Sequence, residues 1–414
     1  MKGGSKNEWF ALAWVVAFFA ILHAAVRPQP AAADEGFHVE QVRIFVSGGW
    51  SMFESITTIP GYHFFTNVIL TLLGGIGLVP PRIADVAAVR DVNFFYSVAF
   101  IASVLVMARS ISTESHLLRW AQIVFLPIFA FYYSLAYTDI FALFWMAVAF
   151  FACLRGQYFH YLIFGLIALS ARQNHVFLVM ALPFIAHHSS TPITAAAAEI
   201  SLAKYRAFLP QVVVIGLAFV AFVLLNGGVA IGDQKSHQIS QGGLDNIFFF
   251  LIVYAALFAP IVLADAGRIS RAVVERPVMT LLPTAVCVAL CFLLFEASHR
   301  YNDVQPDYFF RNGLIAQILD DPGHKLVASV AAGVALLHLW VTTRSLGLAV
   351  AIGVGWLQLM PSWLVEQRYY IPLLFLLLFL RELRARWIEG VFAAYLFALT
   401  FLAAHNFVDG GFFL

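Results

Sequence analysis

The sequence predicts an all-α polytopic membrane protein, a bundle of about 12–14 transmembrane helices with a long first outer loop. Three observations predict it. Hydrophobic residues make up 62% of the 414 and charged residues only 11%, with a mean hydropathy of +0.85, whereas a soluble domain is about half apolar and about a quarter charged. Apolar stretches of roughly bilayer-spanning length, about 17–25 residues, recur to the last residues of the chain. The connections between them are short, with no repeat, low-complexity tract or loop long enough for a soluble domain, so residues 1–414 read as a single integral membrane domain. The formal net charge of +1 gives no basic excess for nucleic acid and no acidic tail.

The first span, 10–26, follows Lys2 and Lys6. Ala31-Ala32-Ala33 would suit signal cleavage, but an uncleaved first helix is expected, because the residues just after it carry candidate chemistry and need an anchor. Further spans are expected at 92–108, 120–137, 140–154, 208–225, 247–264, 278–295, 326–341, 346–360, 369–380 and 391–404. Basic clusters at Lys2 with Lys6, at Arg268, Arg271 and Arg276, at Arg344, and at Arg381, Arg384 and Arg386 alternate with these spans. Assigned to the cytoplasm by the positive-inside tendency, they leave 226–246, 298–325 and 361–368 outside.

The first half admits two topologies, since 82–90 and 109–119 are also basic. If 161–187 is a broken hairpin around Arg172, then Asp139 lies outside and 60–80 is a membrane-embedded part of a first outer loop spanning 27–90. If it crosses once, 60–80 is a full span and Asp139 lies inside. The hairpin is favoured because it gathers the polar residues on one face.

Ionisable groups at membrane depth are costly and carry a default functional suspicion. Asp34-Glu35, with His38 and Glu40 following, sits directly after the first span. Adjacent carboxylates at a cavity mouth suit a general base, one desolvated and raised while its neighbour holds position. A helix-capping acidic pair is an equally good account of the spacing. Asp139 is a second candidate carboxylate or the N-cap of the following helix, the cap being the stronger reading in isolation. Arg172-Gln173-Asn174-His175 interrupts an apolar stretch, and either clamps helices together or offers a guanidinium fork to phosphate.

The turn Asn226-Gly227-Gly228 through Asp233, Lys235 and His237 allows close backbone approach, though any tight loop uses glycines. Ser298-His299-Arg300-Tyr301, with Asp303, Asp307, Tyr308 and Arg311, supplies both charges and aromatic faces for a sugar. In Glu366-Gln367-Arg368-Tyr369 the arginine stands above a span, where it snorkels or meets a phosphate at headgroup level. The thirteen histidines show no ligand spacing, so no metal site is expected. Cys153, Cys287 and Cys291 sit in apolar runs and read as buried small hydrophobes.

Taken in order, these segments resemble the dolichyl-phosphate-glucose-dependent alpha-1,2-glucosyltransferase family of the GT-C superfamily. The resemblance runs from Asp34 to about Tyr370 and is carried by 34–38, 56–61, 137–139, 172–173, 226–233 with His237, 299–301 and 366–369. It implies a GT-C type bundle, a polyprenyl (dolichyl) phosphate-linked glucose donor, a lipid-linked oligosaccharide acceptor, inversion at the anomeric carbon, and no required cofactor, with a divalent metal left open. Carried over, Asp34 is the base with Glu35 as partner or substitute, and Arg368, Arg172 and His299 hold the donor phosphate. His38, Asp139, Gln173, Asn226, Asp233, His237, Tyr301, Tyr308 and Glu366 then bind substrate.

The sequence departs from the family pattern at Asn174-His175 and at Asp307-Tyr308. It also lacks an Asn-x-Ser/Thr sequon, so a prokaryotic relative with a shorter carrier stays open. The resemblance accordingly implies a multi-pass protein of the endoplasmic reticulum membrane in a eukaryote or the plasma membrane in a prokaryote, with the site on the luminal or periplasmic face. The rival reading is a transporter or flippase of lipid-linked sugars. Transporters carry internal repeats with matching interrupted helices, and no such symmetry is found here.

Overall fold

The computed structural model describes residues 6–77, 84–111, 115–195, 205–232, 234 and 243–414. Its regular structure is helical, with no strand among the described residues. Among the described residues, six helices are long and apolar enough to cross a bilayer, and five shorter apolar helices accompany them. The chain is therefore an all-α, multi-pass membrane protein. It divides into two compact units, one of residues 1–120, 129–183 and 205–235, the other of 121–128, 184–204 and 236–414.

The helices of the first part of the chain are α1 (Lys6–Val26), α2 (Glu35–Val46), α3 (Gly61–Gly75), α4 (Val86–Ile111), α5 (His116–Val124), α6 (Pro127–Ala130), α7 (Thr138–Leu154), α8 (Tyr158–Ala171), α9 (Val176–His187) and α10 (Leu209–Asn226). Within the first unit α7 packs against α8 and α4, and α2 against α3. Val39, Val42, Tyr62, Leu70, Val92, Tyr96 and Phe141 form its core, with the Phe141 ring 4.8 Å from Tyr96 and 5.8 Å from Tyr62. Edge-on aromatic contacts of this kind add to the value of simple burial.

The stretch 120–137 is not the continuous span expected from hydropathy. Helix α5 stops at Val124, Pro127 begins the four-residue α6, and the chain then turns irregularly to Tyr137. Proline lacks the N–H that the carbonyl four residues back would use, and its ring crowds that carbonyl, so it kinks or breaks a helix. Unwound backbone at membrane depth is tolerated only when protein satisfies it. The α4 side chains do so: Asn93 Nδ2 donates to Tyr132 O at 2.7 Å and Ser97 Oγ to Tyr133 O at 2.9 Å. This buried irregular segment delivers Tyr137, Thr138 and Asp139. The 161–187 region is likewise broken, with α8 ending at Ala171, a short 3-10 turn at Gln173–His175, and α9 resuming at Val176.

The second part of the chain contributes α11 (Asp245–Leu257), α12 (Ala259–Ala264), α13 (Ala266–Glu275), α14 (Pro277–Leu294), α15 (Phe310–Asp320), α16 (Pro322–Thr342), α17 (Leu346–Leu359), α18 (Ile371–Leu380) and α19 (Arg386–Val408). In the second unit α11, α14 and α15 pack against α16, α17 against α18, and α12 against α19. The expected span 247–264 breaks at Phe258, ahead of Pro260 in α12. Asp321 caps α16, accepting from the Gly323 and His324 N–H groups at 2.7 and 3.0 Å, with Pro322 in the first turn.

A polar network ties α12, α16 and the chain after α18 together. Asp265 accepts from Arg384 Nε and Nη2, each at 2.8 Å, and lies 3.1 Å from His338 Nε2. Burial alone would raise the Asp265 carboxyl, but the hydrogen bonds from His338 and Arg384 outweigh it and hold the group well below its ordinary range. Glu389 is held in the same region by Arg381 and by Gln122 Nε2 at 2.8 Å.

Candidate active-site residues

In the first unit, a tight turn after α1 presents the acidic pair. Ala33 takes φ 49°, a conformation that costs energy for any residue with a Cβ and persists only when its surroundings enforce it. They do so here, for the Asp34 N–H donates to Tyr137 Oη at 2.9 Å, and Tyr137 Oη donates to Ala32 O at 3.2 Å. The two carboxylates that follow have different surroundings. Glu35 and Arg90 are both fully buried. Arg90 forks onto Glu35 at 2.7 and 2.5 Å, while the Ala32 and Ala136 N–H groups donate to the same carboxylate at 2.9 and 2.8 Å. Arg90 also donates to the carbonyls of Val26, Gln29 and Pro30 at 2.7 to 2.9 Å, stitching the end of α1 to the turn. Asp34 is half-buried and occupies the N-cap position of α2, where its side chain makes no capping hydrogen bond.

His38 is buried one turn along α2, its Nδ1 3.0 Å from Nε2 of the fully buried His63 on α3. Asp139 and Arg172 form a buried ion pair at 2.5 Å. Among the described residues, Asp139 Oδ2 and Arg172 Nε make no hydrogen bond. Gln173 staples two loops: its Nε2 donates to Thr57 O at 2.7 Å and to Val229 O at 2.9 Å, and its Oε1 accepts from the Ile59 N–H at 3.1 Å.

Asn226 closes its own turn, donating to Gly228 O and Ala230 O at 2.8 and 2.7 Å, with Gly227 at φ 73° ending α10. A Cβ on Gly232 would stand 2.1 Å from Glu54 O, so the glycine turn lies directly against the 54–57 backbone. Segments 34–38, 56–61, 137–139, 172–173 and 226–232, far apart in sequence, are thus linked by hydrogen bonds or packing within one unit. Asp233 and His237 lie outside the described residues.

In the second unit the cluster is built around Glu366. This buried carboxylate pairs with Arg311 Nη1 and with Arg368 Nε, each at 2.6 Å. Three asparagines set the surrounding backbone. Asn246 donates to Ser362 O and Leu364 O at 2.8 and 3.0 Å and accepts from Tyr370 Oη at 3.1 Å. Asn302 exchanges hydrogen bonds with the Val365 backbone at 2.8 and 3.2 Å. Asn312 donates to Tyr301 O and Val304 O and accepts from Arg311 Nε at 3.0 Å. Arg368, on the 3-10 turn Gln367–Tyr370, is half-buried.

His299 is fully buried edge-on to Trp363, with the Tyr301 N–H donating to its Nδ1 at 3.1 Å. Tyr301 is exposed with Arg300 stacked over its ring, while Tyr308 packs on Phe309 and Phe413. From Arg311 and Gln367 an apolar groove of about 290 Å³ runs between Phe249, Val253, Leu257, Leu314, Leu399 and Phe412.

Residues 29–199 and 185–379 match the DIE2/ALG10 family. The chain belongs to that family. Curated members to which it is similar are each named Dol-P-Glc:Glc(2)Man(9)GlcNAc(2)-PP-Dol alpha-1,2-glucosyltransferase. One from Yarrowia lipolytica is 25% identical over 59% of this chain and 51% of its own length. One from Homo sapiens is 22% identical over 65% of this chain and 66% of its own, and one from Mus musculus 23% identical over the same shares. The chain therefore matches about half to two-thirds of the length of these relatives. No solved structure matches it.

Within the family frame, the expected residues fall on both units: Asp34, Glu35, His38, Asp139, Arg172, Gln173 and Asn226 on the first, and His299, Tyr301, Tyr308, Glu366 and Arg368 on the second. Sequence reasoning had no role for Arg90, His63, Asn246 or Asn312, and counted Arg311 only as one charge among several. Arg90 had a signal that was read otherwise, since a basic residue at the head of an apolar run looks like a topology marker. The asparagines carried none, because a lone asparagine at a helix edge is commonplace.

Proposed function

We propose that this chain is an inverting glycosyltransferase that moves glucose from a polyprenyl (dolichyl) phosphate-linked donor to a lipid-linked oligosaccharide, forming an alpha-1,2 linkage as the names of its relatives describe. The observation that carries the reading is the second unit's apolar groove ending at Arg311 and Gln367, beside the Arg311–Glu366–Arg368 cluster. A polyprenyl phosphate-linked sugar has this same division, a long hydrocarbon and one compact anionic head that gains a second charge as the sugar departs. Two guanidiniums sharing one carboxylate leave a net positive charge for that head, in a surround of low dielectric where it counts most.

In this reaction Asp34 accepts the proton of the acceptor hydroxyl as its oxygen attacks the anomeric carbon. The bond from that carbon to the phosphate oxygen breaks, its electron pair leaving with the phosphate. Arg368 takes up the charge that grows on the departing phosphate, with His299 as a further phosphate ligand. Glu35, held by four hydrogen-bond donors, positions the turn that presents Asp34. His38, Asp139, Gln173, Asn226, Asp233, His237, Tyr301, Tyr308 and Glu366 shape the sugar and acceptor sites. The reaction takes place at the luminal face of the endoplasmic reticulum membrane in a eukaryote, or at the outer face of the plasma membrane in a prokaryote.

The test is transfer in liposomes from synthetic polyprenyl-phosphate glucose to a glucose-terminated lipid-linked acceptor. Asp34→Asn is expected to lower turnover by about 10²–10⁴-fold, the usual worth of a general base, while melting like the parent. Full activity in Asp34→Asn removes this residue as the base, and absence of transfer by the parent protein from this donor overturns the reading.

A further inference from the structure

Outside the residues given roles above, the second unit holds an open, basic cavity of about 600 Å³. Its walls are α13, the start of α14, the end of α16 and the turn at Arg344. Arg268, Arg271, Arg276 and Arg344 line it, against two carboxylates, Glu275 and Glu382. Glu382 is already shared between Arg268 and Arg384, each at 3.0 Å, so its charge is largely spent inside the protein. Arg271, Arg276 and Arg344 are exposed. A cavity with this excess of guanidinium attracts an anion, and the planar fork of arginine matches phosphate oxygens better than any other side chain.

The walls say where that phosphate comes from. Helix α13 is amphipathic, with Arg268 and Arg271 one turn apart and Ile269, Val273 and Val274 between and beyond them, while its neighbours α12 and α14 carry no charged residue. A short amphipathic helix between two apolar ones is the pattern of a segment lying in the membrane interface. Trp340 is 62% exposed at the cavity edge, where an indole marks the headgroup level. Beyond the rim, α14 presents exposed Val278, Met279 and Leu282. A charged compartment thus opens onto an apolar, lipid-facing surface, which fits an amphiphile with a phosphate at one end and gives a free anion no use for the second part.

We propose that this cavity binds the phosphate headgroup of an anionic membrane phospholipid, its acyl chains lying along the exposed faces of α14 and α16. Basic pockets between membrane helices select anionic headgroups by the same physics. The site is independent of the transfer reaction.

The test is lipid retention, read by native mass spectrometry of protein released from nanodiscs of phosphatidylcholine containing phosphatidylglycerol. The parent protein retains phosphatidylglycerol, and Arg271→Gln with Arg344→Gln weakens retention by about 30-fold, taking about 1 kcal/mol per basic residue at an anionic surface. Arg155→Gln, an exposed arginine elsewhere, leaves retention unchanged. The double variant melts with the parent in pure phosphatidylcholine. Should it misfold, the single exposed-site variants Arg276→Gln and Arg344→Gln give the same reading, each weakening retention by about fivefold. Equal retention of phosphatidylcholine, or retention unaffected by these changes, overturns the proposal. Displacement of the lipid by millimolar inorganic phosphate makes the cavity a free-anion site and overturns the lipid assignment.

Discussion

At the scale of single residues, two adjacent carboxylates have opposite surroundings. Glu35 is sealed from water with four donors on its two oxygens, whereas Asp34 is half-buried and makes no cap bond. Identity and spacing do not distinguish them; the difference comes from Arg90, fifty-five positions away. Breaking a buried ion pair strands a charge, so Arg90→Leu is expected to cost about 3–5 kcal/mol, measured as a lowered melting temperature in detergent. Adding Glu35→Gln, which removes the charge but keeps an oxygen for the Ala136 N–H, restores a large part of the loss. Arg90→Leu melting with the parent would show that the pair does not hold the turn.

At the scale of elements, the loops depend on close backbone approach. A Cβ at Gly232 meets the carbonyl of Glu54 at 2.1 Å and that of Ile56 at 2.5 Å, and neither is the end of a flexible side chain. Gly232→Ala is expected to destabilise by about 1–3 kcal/mol, as overpacking does, and to depress glucose transfer. Gly36→Ala, in the first turn of α2 with open space around it, is expected to raise stability by about 0.4–1 kcal/mol. Thermal melting of both variants checks the contrast, and equal effects would sink it. The glycine turn 226–232 was legible in the sequence as a loop, but its partner was not, since only the folded chain brings 54–57 against it. Gln173 is a similar case: it reads as a substrate ligand and is occupied as a staple between Thr57, Ile59 and Val229.

At the scale of the whole molecule, membrane residence was legible because hydropathy is a bulk property that needs no partner. Helix continuity was less so. Residues 120–137 and 247–264 read as single apolar spans, and both are interrupted ahead of Pro127 and Pro260, where backbone carbonyls accept from side chains of other helices, Asn93 and Ser97 in the first stretch and Tyr395 in the second. The network at Asp265 spans three parts of the second unit, and its pH response has a definite sign. The folded-state carboxyl sits below its ordinary 3.8, so the stability it contributes is present above that value and is lost only as the pH falls further. Asp265→Asn is expected to melt below the parent at neutral pH, with the gap closing in strong acid. A gap that widens on acidification contradicts the assignment.

The sealed Glu35–Arg90 pair also bears on how the polypeptide is made. Glu35 leaves the ribosome well before Arg90, and a lone ionised carboxylate cannot enter a low-dielectric interior at tolerable cost. The turn after the first helix therefore stays hydrated until the head of the fourth helix has been synthesised and inserted, and it locks only then. Nascent chains halted before that helix emerges will carry an unsettled acidic segment, however well their first helix is already seated in the bilayer.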